Sequence, residues 1–332
     1  MHRKKCLKMD DIKVSISVLS YKHGPYVRQC LDSLLAQKVN FRYEIVVGED
    51  FSNDGTREIL LAYKEKYPDI FTLLLNDENV GAARNNHNIK LHCRGQYIAT
   101  CESDDFWVDE NKLQRQVDFL ESHPEYVGIA ANHVKVDVDG KHPKVALMPW
   151  QVGKDFRLQD FLRFGLITHG STMVHRNIIP YHDERYVKLR FSAPTMGDVL
   201  THALLLDYGN IYIEPAITLA HRSGAATPTS YSYQQKKKAL EYTRMYFNIV
   251  DSLNTYFDGK HDFNALKANR VGAMLRSGLS GNLQIDKADM KALLKELPGK
   301  LRLLCYSRSI QKSWRSLLHK ITGKLIRKDV KL

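Results

Sequence analysis

The sequence predicts an α/β protein: a mostly parallel central sheet with helices on both faces, followed by a helical C-terminal extension. Three observations carry that expectation. Between Val14 and Leu120 four strand–loop–helix units follow one another, each strand is a short and nearly continuous apolar run, and the polar residues gather in the loops that leave the strands. At 332 residues, 43% hydrophobic and 26% charged, the chain can bury a full core and carries no signature of disorder.

The first strand reads VSISVLS from Val14 to Ser20 and ends in the loop Ser20-Tyr21-Lys22-His23-Gly24-Pro25. Tyr26, Val27, Cys30, Leu31, Leu34 and Leu35 then recur at helical spacing, with Pro25 suited to the first turn. The second strand, Tyr43 to Val47, leads into Gly48-Glu49-Asp50 and on to Gly55. Thr56 is expected to cap a helix whose apolar side carries Ile59, Leu60, Ala62, Tyr63 and Tyr67. Phe71 to Leu75 is the third strand, and the loop Asn76 to Asn85, with Arg84, opens a short helix reaching Cys93. The fourth strand starts at Tyr97, and Leu113, Val117, Phe119 and Leu120 mark the helix after it. Right-handed crossovers between such units give a parallel sheet, and ligands of such sheets bind beyond the carboxyl ends of the strands.

The fourth strand changes character within two residues. Tyr97, Ile98, Ala99 and Cys101 are apolar, whereas Glu102, Asp104 and Asp105 follow at once, with Phe106 and Trp107 behind them. Alternation along an extended chain projects Glu102 and Asp104 the same way, and Asp105 joins them if the chain turns immediately. Carboxylates so close require a raised pKa, a basic partner or a divalent cation, and oxygen-only ligands suit Mg²⁺ or Mn²⁺. The plainer alternative is a solvated acidic turn before a helix. Tyr21, Asp50 and Arg84 converge on the same rim from three other loops, which favours a binding site. No G-x-G-x-x-G or G-x-x-x-x-G-K-[ST] follows any strand, so a pyrophosphate would need a counter-charge other than a glycine cradle.

The second half is less regular. Val127 to Val136 reads as a strand, residues 137–143 as a turn with Val145 to Met148 pairing back, and Phe156 to Phe164 as a short helix. Thr168 to Arg176 is a loop entering a strand, with Gly170, Ser171 and Thr172 suited to a polar ligand. Asp198 opens a helix that runs to Gly209, and Ile211 to Leu219 is a strand ending in His221-Arg222-Ser223-Gly224. Asp198 has two readings at this point, a helix N-cap or a base presented into the cleft.

From Ser230 onward the chain is helical and cationic. Helices are expected from Tyr233, over Phe263 to Leu279 and over Asp286 to Leu297. The tail after Pro298 holds ten Lys or Arg against one acid, Asp329, with Leu, Ile and Trp314 interleaved at near-helical spacing. It can lie on an anionic membrane surface or pack on the domain with a solvated cationic face. Net charge is +12, yet no nucleic-acid-binding motif is present, so no nucleic-acid partner is expected. Five cysteines without a Cys-x-x-Cys pair fit reduced thiols, and the basic start Met1 to Cys6 meets Asp10 and Asp11 without an apolar segment. No apolar run approaches the ~20 residues that span a bilayer. A cytoplasmic protein, peripheral at the inner face of a membrane if the tail binds lipid, is the expectation.

With these residues in view, roughly the first 220 positions resemble the family 2 glycosyltransferases of the GT-A fold, particularly bacterial enzymes of surface-polysaccharide assembly. The match lies in VSISVLSY (Val14 to Tyr21), YEIVVGEDFSNDGT (Tyr43 to Thr56), Asn79-Val80-Gly81 and GQYIATCESDDFWVDENKLQRQVDF (Gly95 to Phe119). The resemblance implies a Rossmann-like GT-A domain over 1–225, with a nucleotide-binding half at about 12–125 and an acceptor half at about 126–225, and an extension over 226–332. It implies that Ser20, Tyr21, Asp50 and Arg84 hold the nucleotide of a nucleotide diphosphate sugar, a UDP-sugar foremost. Glu102-Ser103-Asp104 would be the DXD-type motif, with Asp104 on Mn²⁺ or Mg²⁺ and Glu102 and Asp105 beside it, although many relatives carry Asp where Glu102 stands. Asp198 would be the base that deprotonates the acceptor hydroxyl in an inverting transfer, in a Gly197-Asp198 pair where relatives have Glu-Asp. His221 and Arg222 would face the donor phosphates, and Ser171 and Thr172 the acceptor, a glycan or lipid-linked sugar. The absence of a Q-x-x-R-W motif implies transfer of a single sugar. A nucleotidyltransferase and a non-catalytic nucleotide-sugar-binding assembly partner are the alternatives.

Overall fold

The computed structural model describes residues 12–192, 194–223, 238–279, 287–297, 299–303 and 305. Contacts divide the chain into two compact units, one of residues up to 158 together with 167–222, the other of 159–166 together with residues from 223 on.

The first unit alternates strands and helices as the apolar runs demand: β1 (Val14–Ser20), α1 (Val27–Leu35), β2 (Tyr43–Glu49), α2 (Thr56–Lys66), β3 (Phe71–Leu75), α3 (Ala82–His92) and β4 (Tyr97–Glu102). It continues with β5 (Phe106–Trp107), α4 (Lys112–Ser122), β6 (Tyr126–Val136), β7 (Lys144–Val145) and β8 (Lys154–Phe156). After α5 (Leu158–Phe164) come β9 (Val174–Arg176), α6 (Glu184–Phe191), α7 (Gly197–Tyr208) and β10 (Asn210–Arg222). One ten-stranded sheet has the order β3-β2-β1-β4-β9-β6-β10-β5, with β7 beside β6 and β8 beside β10. Strands β1 to β4 pair in parallel, and β9 runs antiparallel to both β4 and β6. Two reversals restore the original direction, so β6 and its parallel partner β10 point the same way as β4. Ser20, Glu49, Leu75, Glu102, Val136 and Arg222 therefore all end on one rim, and β9 delivers its N-terminal end there.

Both faces of the sheet are covered. Val27, Cys30, Leu31 and Leu34 of α1 pack with Val14, Ile16 and Val18 on one side, whereas Ile89 and Cys93 pack with Val46 and Ile98 on the other. Three local expectations are corrected. Phe156 is a strand residue paired with Ile211, not the start of a helix. The strand that pairs back on β6 is Lys144–Val145 and so ends earlier than expected, although the Ala146 amide still donates to the His133 carbonyl at 2.9 Å and Leu147 bonds the Asn132 side chain before Pro149 begins a 3₁₀ turn. Thr56 is the first residue of its helix, not its cap, because Gly55 takes the capping position with φ of 86° and the Thr56 hydroxyl is spent on Asp54.

In the second unit α8 (Ala239–Tyr256), α9 (Asn264–Leu279) and α10 (Lys287–Glu296) surround Phe247, Val271, Met274 and Leu293. Most of α5 belongs here as well, with Asn269 Nδ2 donating to the Leu162 carbonyl at 3.2 Å. Among the described residues no helix is long and apolar enough to cross a membrane. The start of the helix expected from Tyr233 and the basic stretch 306–332 lie outside the described residues.

Candidate active site

The strand order switches direction between β1 and β4, which is where open α/β sheets bind ligands. On the β1 side the loop after Ser20 is pinned from below. Lys22, at φ of 56°, donates its N–H to Ser52 Oγ, His23 N–H to Thr56 Oγ1 and Gly24 N–H to Asp54 Oδ2. Gly24 is required here, because a Cβ would stand 2.4 Å from the Asp54 carbonyl oxygen. Tyr21 stays half-exposed at the mouth, with Lys22 Nζ 5.2 Å from its ring centre. Ser20 is buried and accepts from Ser103 Oγ at 2.9 Å, and Ser103 in turn pairs with His23 Nδ1 at 2.7 Å. His23 Nε2 lies 3.8 Å from Asp104 Oδ2. No residue pattern in the sequence singled out His23; its role depends on a loop from β1 meeting the end of β4.

Asp50, which the resemblance assigns to the nucleotide, stands directly after β2. It is buried, and it accepts from Asn76 Nδ2 at 2.9 Å and from the Val80 and Gly81 amides at 2.9 and 3.0 Å. Its present work is to hold the loop that opens α3. Arg84, in the first turn of α3, is exposed and leans toward Phe191, 5.9 Å from that ring centre.

The acidic turn follows the alternation. Glu102 and Asp104 face the open side while Ser103 between them is buried. Asp105 turns inward and is fully buried, accepting from the Arg222 amide at 2.9 Å and lying 3.1 Å from His221 Nδ1. One oxygen from each of the three carboxylates falls within 4.8 Å of the others. Asp104 Oδ1 is buried and has no hydrogen-bond partner, an arrangement suited to a hard divalent cation. Surrounding protein and the charges of Asp104, Asp105 and Asp198 push the Glu102 pKa well above the carboxylate range. Its carboxyl is nevertheless open to solvent, as at the wall of a concave site.

Arg222 is not free to meet phosphates in this arrangement. It is buried between Tyr26 and Phe106, 4.8 and 4.9 Å from their ring centres, and donates to the Asp104 carbonyl, to Gln29 Oε1 and to the Val138 carbonyl. It braces the acidic turn from behind. His221 belongs to a group of imidazoles with His169 and His133, its ring centre 4.4 Å from the first and 6.3 Å from the second. Burial opposes the His221 imidazolium, but the bond to Asp105 and the Asp104 charge prevail and raise its pKa. Burial and the neighbouring histidines drive His169 far below the usual value and His133 to about 4.

Ser171 and Thr172 stand in a 3₁₀ turn at the entry to β9. Ser171 Oγ accepts the Glu102 N–H at 3.2 Å, so this turn touches the acidic residues directly. Asp198 lies in the first turn of α7, and its field reaches Glu102. It is not the N-cap, a position that Met196 takes at φ of 59°. Oδ1 accepts the Val199 amide at 2.9 Å, and among the described residues Oδ2 has no partner. Surrounding protein raises the Asp198 pKa, against the lowering influence of His202, local amides and Arg190. Gly197 has a physical reason: a Cβ there would stand 3.1 Å from Arg190 Nη2, so the buried arginine occupies the space a larger residue would need. His87, His92 and Cys93, which could suggest zinc, form no ligand set among the described residues.

Residues 15–179 match the profile of "Glycosyl transferase family 2". The uncharacterized protein Rv1520 of Mycobacterium tuberculosis is 38% identical over 171 residues, covering 52% of this chain and 49% of that protein. The UDP-Glc:alpha-D-GlcNAc-diphosphoundecaprenol beta-1,3-glucosyltransferase WfgD of Escherichia coli is 32% identical over 112 residues, 34% of this chain and 42% of that protein. The chain thus spans about half the length, or less, of these curated relatives. Among solved structures, residues 1–349 of S. aureus TarS in complex with UDP-GlcNAc superpose with a TM-score of 0.59 at 15% identity, covering 96% of this chain and 95% of that one. That likeness is one of fold. Taken with the strand order and the acidic rim, these findings show that residues 15–179 belong to glycosyl transferase family 2 and that the α/β unit built around them has the GT-A fold.

Proposed function

We propose that the protein transfers one sugar from a nucleotide diphosphate sugar, foremost a UDP-sugar, to a hydroxyl of a glycan or lipid-linked acceptor in surface-polysaccharide assembly. The observation that carries this reading is the meeting of Asp198 with the acidic turn. Asp198 is exposed to solvent and its charge reaches Glu102, whose neighbour Asp104 keeps one buried oxygen without a hydrogen-bond partner. The donor and acceptor named for WfgD, and the UDP-GlcNAc bound to TarS, support the choice of UDP and of a lipid-linked acceptor.

In this reading Tyr21 stacks on the base, and Asp50 orders the Val80–Gly81 backbone that faces the nucleotide, with Arg84 flanking it. Mn²⁺ or Mg²⁺ bound by Asp104, with Glu102 and Asp105, would supply the positive charge that offsets the diphosphate. His221 sets the orientation of Asp105, and Arg222 fixes the backbone of Asp104. Asp198 Oδ2 takes the proton of the acceptor hydroxyl as it attacks the anomeric carbon, in one displacement with inversion, and the raised pKa of Asp198 suits it to that transfer. Ser171 and Thr172 line the acceptor side. Residues 1–225 carry the chemistry, and the basic tail of 226–332 holds the protein at the inner membrane face, where a lipid-linked acceptor would lie.

The test is a thermal-shift and calorimetry panel of UDP, GDP, dTDP and CMP, each with and without Mn²⁺, followed by nucleotide release from the matching sugar donors. Stabilisation by UDP only with Mn²⁺ is expected. Folded protein that responds to none of them would sink the donor-site reading.

A further inference from the structure

Lys112 opens α4 and is fully buried, an unusual place for a lysine. Its Nζ donates to Gln116 Oε1 at 2.9 Å and lies 4.2 Å from the centre of the Trp107 ring. Both neighbours reach the acidic rim. Trp107 Nε1 donates to the Ser171 carbonyl at 3.0 Å, and Gln116 Nε2 donates to the Thr172 carbonyl at 3.2 Å. Ser171 Oγ in turn accepts the Glu102 amide. One ammonium therefore touches both side chains that pin the 170–172 turn, and that turn holds the backbone of the first acidic residue.

A methionine of similar length would fill this space without the cost of burying a charge. What the charge adds is attraction to the indole face, which strengthens once water is excluded. The other charged or titratable groups around it are Glu214 on β10, Cys101 on β4, Arg115 on the same helix and Asp109 just before it. Glu214 is already engaged by Arg115 at 2.7 and 3.2 Å and by Gln116 Nε2 at 2.8 Å, and Arg115 also bonds Asp109 at 2.7 Å. The ammonium is left to Gln116 and the ring. Burial draws its pKa down to about 7, against Glu214 and Cys101, so its charge changes near neutrality.

We propose that Lys112 is a positioning residue for the acidic rim: protonated, it fixes Trp107 and, through the Ser171 turn, the backbone of Glu102; deprotonated, it releases the indole. The consequence for ligand binding rests on the rim being the donor site. Two measurements on the full chain separate the two claims. In a Trp150→Phe, Trp314→Phe background, leaving Trp107 as the remaining tryptophan, its emission should titrate with a midpoint near pH 7. The Lys112→Met variant should lose that transition and Lys112→Arg should hold the protonated spectrum throughout. Calorimetry of UDP with Mn²⁺ should give wild type an advantage of about tenfold over Lys112→Met at pH 6, falling toward none at pH 8.5. Emission without a midpoint, or a midpoint unchanged in Lys112→Met, overturns the proposal. An affinity ratio independent of pH overturns it too, since a merely structural lysine would give that. If wild type binds no nucleotide diphosphate, the donor-site reading fails alone, and the fluorescence titration still decides the role of Lys112.

Discussion

Glu44, Glu49 and Asp50 on and after β2 are buried carboxylates that the fold has fully engaged. Glu44 accepts from Ser15 and from the amide and side chain of Arg94, Glu49 from the Ser52 amide and Arg57, and Asp50 from an asparagine and two amides. Two strands away, Glu102, Asp104 and Asp105 crowd one another within the field of Asp198, with one Asp104 oxygen left without a partner. The first group braces loops; the second is held together against its own repulsion. A carboxylate with hydrogen-bond donors stabilises the fold, whereas carboxylates left to one another reserve a place for a cation or a substrate proton.

Substitutions can break that contrast. Asp198→Asn should lower sugar transfer by about 10²–10⁴-fold with UDP–Mn²⁺ affinity unchanged. A wild-type transfer rate in this variant would remove Asp198 from the reaction. Asp104→Ala should lose the Mn²⁺-dependent part of UDP binding, at least the ~10–100-fold that even indirect metal partners contribute, as read by calorimetry with and without the ion. Equal donor affinity in both proteins would contradict the metal assignment.

Stability should respond with opposite signs in the two groups. Glu49→Ala strands Arg57 and should cost about 2 kcal/mol in urea unfolding, below the ~3–5 kcal/mol of a fully buried pair because Arg57 keeps some water. Glu102→Gln should raise the melting temperature at neutral pH. The folded state holds the Glu102 proton to higher pH than the unfolded chain does, so wild type loses stability as pH rises through the window between the two pKa values. The variant, unable to ionise, escapes that loss. Melting curves from pH 4 to 8 should show no difference at the acid end and a growing one above it; a constant offset would mean that Glu102 is not crowded by charge.

The half from β1 to α4 was legible because buried parallel strands write themselves as apolar runs and because the acidic turn interrupts one of them abruptly. The insertion of β9 between β4 and β6 was not legible. Three residues carry no periodicity, and nothing in Val174, His175 and Arg176 announces a strand of reversed direction. The contacts of the Arg222 guanidinium with Tyr26, Phe106 and the Asp104 carbonyl were not legible either, because they join residues far apart in the chain. Nothing in the sequence marks Lys112 as buried. Its spacing of four from Gln116 was visible, but only the tertiary position of Trp107 turns that pair inward.

The chain leaves the first unit at Leu158, spends eight residues in the second, returns at Ile167 and departs again after Arg222. Its two units are interleaved along the polypeptide, so a single cut cannot part them. A truncation ending at Arg222 would keep Phe161, a fully buried ring, while deleting the Asn269 side chain that bonds the neighbouring Leu162 carbonyl. Any attempt to isolate the transferase core should remove 159–166 as well. Otherwise loss of activity on deleting the basic tail and its helices could reflect an uncovered aromatic as readily as a lost membrane anchor.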